Sequence, residues 1–367
     1  GSIKDRQTLS FEADKSKHLE EYYIIETNGL RLLKLGLIYG ANASGKTTIL
    51  KALDFLRTLV IKPKMQKTET FDFEPFLFDD NTSQQNTVFS IEIIQNEVRY
   101  LYEVELNKKA ITKEELYSYN PRKSAVFKRT TDLQNKFTKI EFGSKTKISK
   151  SATETLENNT LWNNTVLGGF LKTNIDVEEF LDVLNWFSGY LKTLVNPQSN
   201  LSKEIKKSIS ENQNKSVLIQ ILKRADFNIS DILIKEDIIE VPDIIEFLDN
   251  PERFYKKKEN KDREFQVIAH GRLSTKSIEF EHTVNKKTYT LDIEMESQGT
   301  QRYFGLSGII YILIKDSVLF PIDELESSLH PDLFTHFLLS FLTNSKKSQI
   351  IATTHNREVL GNRDIFR

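Results

Sequence analysis

A glycine-rich run near the amino end constrains the fold of this 367-residue chain more than any other feature. Residues 40–47 read Gly-Ala-Asn-Ala-Ser-Gly-Lys-Thr and fit the pattern G-x-x-x-x-G-K-[ST]. Usual residue frequencies produce this pattern by chance in about one chain in a hundred of this length. The apolar segment Leu32–Tyr39 predicts a buried strand before the run, and the apolar spacing within Thr48–Val60 predicts a helix after it. A strand, a turn and a helix form the context in which the pattern binds phosphate.

The chemistry of the run makes a nucleotide the expected ligand. Its glycines let backbone N–H groups converge on phosphate oxygens, and the N-terminal dipole of the predicted helix adds positive potential. We expect Lys46 to place its charge at the β and γ phosphates, and Thr47 to offer its hydroxyl to Mg²⁺. The other candidate nucleotide contacts are Gly40, Asn42, Ala43, Ser44, Gly45 and Thr48. The alternative is a glycine turn before a helix that carries an exposed lysine.

A second motif supplies acidic groups far along the chain. Residues Val318–Ile322 predict a buried strand, and Asp323 and Glu324 follow it directly. In a parallel sheet this end of the strand lies beside the phosphate loop. We expect Asp323 to hold Mg²⁺ through water and Glu324 to polarise the attacking water. The alternative is a polar cap on a buried strand.

A histidine follows the last predicted strand, Gln349–Thr353. A lone histidine is usually structural. His355, however, stands near the carboxyl end of a strand about thirty residues beyond the acidic pair, where it could reach the γ-phosphate. We expect it to act as a sensor of that phosphate.

A short polar segment precedes the helix predicted at Arg302–Lys315. It contains Ser297, Gly299 and Thr300, and a serine and a glycine at a helix start can form an anion site. The alternative is an ordinary capped helix.

Composition excludes several kinds of chemistry. The chain has no cysteine, which excludes disulfides, cysteine nucleophiles and cysteine-ligated metals and fits a reducing compartment. Its 51 basic and 52 acidic residues give a net charge of −1, so any contact with nucleic acid would need a local patch. No apolar run approaches the roughly 20 residues of a membrane helix. We expect a cytoplasmic protein without membrane contact.

Hydrophobic periodicity predicts an α/β fold in three segments. Residues 1–145 form an N-terminal lobe with an early strand at Thr8–Ala13 and an antiparallel meander from Phe71 to about Ile140. Residues 146–264 form a mostly helical insertion, and residues 265–367 form a C-terminal lobe. The last lobe includes a helix predicted at Pro331–Asn344, with proline in its first turn.

The ordered set of motifs resembles the ABC-type ATPases, and within them the SMC/RecF-like branch. Gly40–Thr48 resembles the Walker A motif, Ser297–Thr300 resembles the ABC signature, and Val318–Glu324 resembles Walker B with Glu324 as the catalytic glutamate. The residues of these motifs are especially similar to those of bacterial ATPases of the AAA-15 and AAA-21 groups. The resemblance implies a P-loop NTPase of the ABC ATPase head type, with mixed β-sheets, an antiparallel β subdomain and a helical insertion.

The resemblance extends to two more motifs and has two departures. Ser327–Pro331 occupies the D-loop position, and His355 occupies the position of the switch histidine. The signature reads Ser-Gln-Gly-Thr instead of Leu-Ser-Gly-Gly-Gln. For the Q-loop glutamine the chain offers only Gln84 and Gln85.

The resemblance implies a function as well as a fold. It implies binding and hydrolysis of ATP with Mg²⁺, and a homodimer or higher oligomer in which Ser297, Gly299 and Thr300 of one subunit face the ATP of the other. Several similar ATPases act in phage defence, as in Septu, Gabija and OLD-type systems. This suggests a switch or sensor coupled to a separate effector, either a nuclease or a toxin.

Other functions stay open at this point. They are a RecF- or SMC-like ATPase of DNA repair or maintenance, the ATP-binding subunit of a transporter, and a protein that binds ATP without hydrolysing it. A nucleic-acid partner would use basic clusters such as Arg122–Lys123, Lys206–Lys207 and Lys256–Lys258. Each cluster could equally be a solvated face.

Overall fold

The computed structural model describes residues 2–74, 76, 85–199, 201, 212–225, 228–240, 264–269, 272–356, 361 and 365. In chain order, the described strands are β1 (Ile24–Thr27), β2 (Leu30–Leu33), β3 (Leu35–Ile38), β4 (Thr87–Gln95), β5 (Val98–Leu106), β6 (Ile111–Tyr119), β7 (Lys123–Asp132), β8 (Phe137–Phe142), β9 (Asp231–Glu240), β10 (Glu264–Ala269), β11 (Arg272–Val284), β12 (Lys287–Asp292), β13 (Leu319–Ile322) and β14 (Gln349–Thr353). The described helices are α1 (Glu20–Tyr23), α2 (Lys46–Ile61), α3 (Lys150–Asn159), α4 (Val166–Phe170), α5 (Glu178–Asn185), α6 (Asn212–Arg224), α7 (Gln298–Lys315) and α8 (Pro331–Asn344).

The chain divides into two compact units, each built from separate stretches of sequence. The first unit comprises Gly1–Asn196, Ser317–Leu325 and Lys346–His355, and the second comprises Pro197–Asp316, Glu326–Ser345 and Asn356–Arg367. The first unit contains a parallel and an antiparallel sheet, together with helices. The predicted α/β class with mixed sheets and an antiparallel β subdomain is therefore confirmed.

A three-stranded parallel sheet forms the base of the first unit. Its strand order is β13–β14–β3, and both pairings are parallel. Every residue of β13 and β14 is buried, as expected for parallel strands that are covered on both faces. The sheet brings the carboxyl ends of β3 and β13 to one edge, although these strands are nearly 300 residues apart in sequence.

The amino-terminal strands differ from the prediction. The strand predicted at Thr8–Ala13 is wrong, because only an isolated bridge between Glu12 and Leu32 forms there. The single strand predicted at Leu32–Tyr39 breaks at Lys34, which separates β2 from β3. The break lets the chain leave a β1–β2 hairpin and join the parallel sheet, where the Lys34 carbonyl accepts a bond from Ile350 N–H. Burial lowers the pKa of the Lys34 ammonium.

An extended segment lies along the edge of β13 that is opposite β14. Apolar spacing predicts a helix through Leu194, but α5 ends at Asn185 and is followed by a π-helical turn at Trp186–Tyr190. Beyond that turn, Leu191 and Val195 form parallel bridges with β13, and the N–H groups of Lys192 and Val195 donate to its carbonyls. Spacing alone cannot separate these alternatives, because a short apolar run is buried in either conformation.

The antiparallel meander is confirmed as a five-stranded sheet in the order β4–β5–β6–β7–β8. Its inner face packs on α2, where Phe55 contacts the rings of Phe71, Phe73 and Phe89 at centroid distances of 6.3, 5.6 and 5.5 Å. One hydrophobic core continues from this sheet through α2 and α5 to Ile351 of β14. The core therefore fixes α2, which follows the glycine-rich run, against the parallel sheet.

The second unit contains a sheet of β9, β10, β11 and β12 together with α6, α7 and α8. β9 pairs with β11, so the segment predicted to be mostly helical also contains a strand. Helix α8 is confirmed at the predicted bounds. Its apolar spacing predicts a buried face, of which Phe334, Phe337, Leu338 and Phe341 are fully buried and Leu333 is only partly buried. The loop predicted at Glu252–Arg263 lies outside the described residues. None of the helices in the described ranges has the length and hydropathy that crossing a bilayer requires.

A buried ion pair lies within the antiparallel sheet. Glu114 and Arg129 face each other on β6 and β7, and neither side chain is exposed. The Glu114 carboxylate accepts bonds from Arg129 Nη1 at 3.5 Å, the Tyr102 hydroxyl at 2.8 Å and Val166 N–H at 2.8 Å. Burial raises the pKa of Glu114, which Arg129 opposes, and burial lowers the pKa of Arg129 to about 10.

We predict that Arg129→Met destabilises the protein by about 3–5 kcal/mol, because it leaves a buried carboxylate without its cation. Urea denaturation followed by circular dichroism measures the loss. Lys139→Met is the matched control, since its partner Glu141 lies about two-thirds exposed and the midpoint should not change. Equal midpoints for both variants would contradict this account of the buried pair.

Candidate functional site

The glycine-rich run forms a tight loop between β3 and α2. Ala43 and Gly45 have positive φ angles of 60° and 94°, which curl the backbone just before α2 begins at Lys46. A Cβ added to Gly40 would lie 2.7 Å from Ser44 Oγ, so the Ser44 side chain would have to move. At Gly45 the positive φ itself favours glycine, because L side chains rarely adopt that backbone conformation.

Lys46 points back over this loop. Its ammonium donates to the carbonyl oxygens of Gly40 and Ala41, both at 2.8 Å, and only 7% of the residue is exposed. An ammonium has three N–H groups, so these two bonds hold its position and leave a third for a ligand. The loop thus positions a fixed positive charge at its mouth.

The phosphate loop and the acidic pair meet directly. Thr47 Oγ1 donates to Asp323 Oδ1 at 3.0 Å across 276 positions of sequence, and Asp323 is 7% exposed. The backbone N–H of Asp323 donates to the Val195 carbonyl at 2.7 Å, so the extended segment beside β13 also fixes this residue. Glu324 has a left-handed backbone with φ 47°, an uncommon conformation for a residue other than glycine.

One cavity of about 360 Å³ collects the predicted side chains of the first unit. The predicted residues that line it are Asn42, Ala43, Ser44, Gly45, Lys46, Thr47, Thr48, Glu324 and His355. Gly40 and Asp323 do not line it, but they contact Lys46 and Thr47 respectively. Ser2 and Thr353 also line the cavity, and sequence reasoning did not select them. The signal for Thr353 was a hydroxyl placed at the carboxyl end of a strand that is otherwise apolar in its last residues.

A family profile gives independent information about the chain. The profile described as "AAA domain, putative AbiEii toxin, Type IV TA system" matches residues 37–361. This range covers well over half of the chain and contains the loop, the acidic pair and His355. The chain belongs to this AAA family. The match confirms the resemblance to ATPases of the AAA-21 group.

Solved SMC head domains are similar to the AAA protein at low identity. The SMC head domain from Thermotoga maritima has 13% identity and a TM-score of 0.35, with 92% of this chain and 89% of that chain covered. A SmcHead bound to the C-winged helix domain of ScpA has 13% identity and a TM-score of 0.36, with coverages of 89% and 84%. An Smc head domain bound to the C-terminal domain of ScpA derived from Pyrococcus furiosus has 12% identity and a TM-score of 0.31, with coverages of 89% and 85%. No curated protein matches the chain.

The donor set of the cavity fits a magnesium nucleotide. Thr47 and Asp323 offer hydroxyl and carboxylate oxygens, which are hard ligands that suit Mg²⁺. Within the described ranges, no group of three or more His, Cys, Asp or Glu side chains could hold a metal alone. Mg²⁺ is usually held by one or two carboxylates together with substrate phosphates. Lys46 supplies the cation that such phosphates need.

The predicted signature residues lie in the second unit, at the start of α7. This helix begins at Gln298, four residues before the predicted start, because Ser297 caps it: Ser297 Oγ accepts a bond from Thr300 N–H at 3.1 Å. Gly299 lies close to the D-loop segment, since a Cβ there would be 3.1 Å from the Ser328 carbonyl oxygen. The two motifs therefore pack together within this unit. Of the Q-loop candidates, Gln84 lies outside the described residues.

We predict that Lys46→Ala lowers the affinity for ATP at least tenfold, because the loop loses its fixed positive charge. Titration with a fluorescent ATP analogue measures the change. Lys51→Ala, an exposed lysine on the same helix, is the control and should bind as the unaltered protein does. Unchanged affinity in Lys46→Ala would rule out the loop as the phosphate site.

Proposed function

We propose that the AAA protein is a magnesium-dependent ATPase that works as a dimerising switch for a separate effector protein. The observation that carries the proposal is the 3.0 Å hydrogen bond between Thr47 and Asp323, with Glu324 in the same cavity. A phosphate loop alone can bind a nucleotide, whereas hydrolysis also needs a group that activates water. The acidic pair supplies that group.

In this proposal each residue of the cavity has one task. The backbone of residues 40–45 and the ammonium of Lys46 bind the phosphates. Thr47 and Asp323 hold Mg²⁺, which when bound would neutralise charge on the β and γ phosphates. Glu324 orients the attacking water and accepts its proton. His355 contacts the γ-phosphate and distinguishes ATP from ADP.

Dimerisation is the proposed consequence of ATP binding. Helix α7 begins in the second unit with Ser297 as its N-cap, and the start of a helix attracts anions. We propose that this helix start in one subunit contacts the ATP held by its partner, so that binding closes the dimer and hydrolysis opens it. ATP shifts the equilibrium from the open to the closed dimer because, in this proposal, the closed dimer binds ATP more tightly than the open one.

The proposed function also includes a biological setting and an effector. We propose a role in bacterial anti-phage defence, in the cytoplasm, with a nuclease or toxin as effector. The proposal rests on the similarity of the motifs to those of phage-defence ATPases. The family description, which reads "putative AbiEii toxin, Type IV TA system", also associates this family with a toxin–antitoxin system. In the basic cluster Arg122–Lys123, the Lys123 ammonium lies over the Tyr117 ring at 4.2 Å. The other two basic clusters fall on residues outside the described ranges.

We predict that Glu324→Gln reduces ATP turnover at least a hundredfold and leaves ATP binding within about threefold, because only the water-activating group is lost. Phosphate release and nucleotide titration measure the two effects. With saturating ATP and Mg²⁺, the variant should also elute as a stable dimer in size-exclusion chromatography.

Glu141→Gln is the control for this substitution, since Glu141 is exposed on β8 and forms an ion pair with Lys139. It should keep normal turnover. Full turnover in Glu324→Gln would contradict the role of Glu324, and a monomer with saturating ATP would contradict the switch.

A further inference from the structure

We propose that Thr353 is a positioning residue that sets the geometry of both acidic residues, an inference that rests on the proposed ATPase function. Thr353 ends β14, the strand between β13 and β3, and only 1% of it is exposed. It lines the same cavity as Lys46, Glu324 and His355. Its contacts set it apart from a structural threonine.

Thr353 contacts three consecutive residues at the end of β13. Its hydroxyl donates to Asp323 Oδ1 at 2.6 Å and accepts the backbone N–H of Glu324 at 2.8 Å. Its carbonyl accepts the N–H of Leu325 at 3.1 Å. A single residue therefore fixes one side chain and two backbone groups of the acidic segment.

The direction of each hydrogen bond follows from the donor inventory. The backbone N–H of Glu324 can only donate, so Thr353 Oγ1 accepts there and directs its one proton to Asp323. Thr47 Oγ1 donates to the same carboxylate oxygen at 3.0 Å. With its proton committed in this way, Thr47 is left with lone pairs, which are what a cation requires. Asp323 Oδ1 thus orients the hydroxyls of both threonines.

The backbone conformation of Glu324 requires the hydrogen bonds that Thr353 supplies. A φ of 47° is uncommon for a glutamate and persists only where surrounding contacts hold it. The bonds from Glu324 N–H and Leu325 N–H to Thr353 flank that position on both sides. Removing the hydroxyl should therefore release the glutamate from the position required to orient water, while the phosphate loop is unaffected.

A purely structural role of Thr353 would change Mg²⁺ binding and nucleotide binding together, whereas a positioning role would change only the first. Loss of the hydroxyl should disturb Mg²⁺ through Asp323 and water activation through Glu324, and it should spare contacts made by Lys46. The expected signature is a lower kcat and a weaker apparent affinity for Mg²⁺, with little change in nucleotide affinity measured without Mg²⁺.

The test compares Thr353→Val, which removes the hydroxyl at nearly constant volume, with Thr353→Ser, which keeps it. We expect Thr353→Val to lower kcat at least tenfold and to raise the Mg²⁺ concentration for half-maximal binding of a fluorescent non-hydrolysable ATP analogue at least threefold. Affinity for the analogue in EDTA should stay within twofold. Thr353→Ser should restore both values to within threefold of the unaltered protein.

Thr160→Val is the matched control, because Thr160 is also buried in the first unit and its hydroxyl donates to a helix carbonyl away from the cavity. It should lose stability without a change in kcat or in the Mg²⁺ half-point. Thr353→Val values equal to those of Thr160→Val would overturn the inference. Absent turnover in the unaltered protein would instead contradict the proposed function, and the Mg²⁺ half-points would then decide the role of Thr353 alone.

Discussion

The hydrogen bond between Thr47 and Asp323 joins the two parts of sequence on which the site depends. It requires that the start of α2 and the end of β13 meet, and the parallel order β13–β14–β3 makes that possible. Parallel strands place their carboxyl ends at one edge of the sheet, which is where ligands bind in open α/β folds. Residues 276 positions apart can therefore serve one nucleotide.

The long segments that separate α2 from β13 in sequence also contact the parallel sheet. The antiparallel sheet β4–β8 and helices α3–α5 share a hydrophobic core with α2 and with Ile351 of β14. The extended segment after α5 then bonds to β13 and accepts the N–H of Asp323 through Val195. These segments thus buttress the acidic pair and are more than spacers.

The sequence predicted the elements whose pattern is long or chemically distinctive. Helix α8 has the predicted bounds, and the meander β4–β8 forms as expected. Clear helical spacing in the first case and clear alternation of apolar residues in the second leave little ambiguity. The strand predicted at Thr8–Ala13 is wrong, and the helix predicted from Phe180 through Leu194 ends early, because short apolar runs do not determine their own conformation. The roles of Lys46, Glu324, His355 and Ser297 stay predictions, although the structure brings the first three into one cavity. The polar end of the last predicted strand marks Thr353, but its hydrogen bonds to residues thirty positions away cannot be predicted from that local pattern.

The central claim is that one nucleotide and one Mg²⁺ are held jointly by the loop and the acidic pair. A crystal structure of Glu324→Gln grown with ATP and Mg²⁺ tests it most directly. The account predicts Mg²⁺ about 2.0–2.1 Å from Thr47 Oγ1, the distance usual for its oxygen ligands. It also predicts a water on the metal bonded to Asp323, and the β and γ phosphates within hydrogen-bonding distance of Lys46 Nζ. A triphosphate bound away from Lys46, or a metal that touches neither Thr47 nor the water beside Asp323, would contradict it.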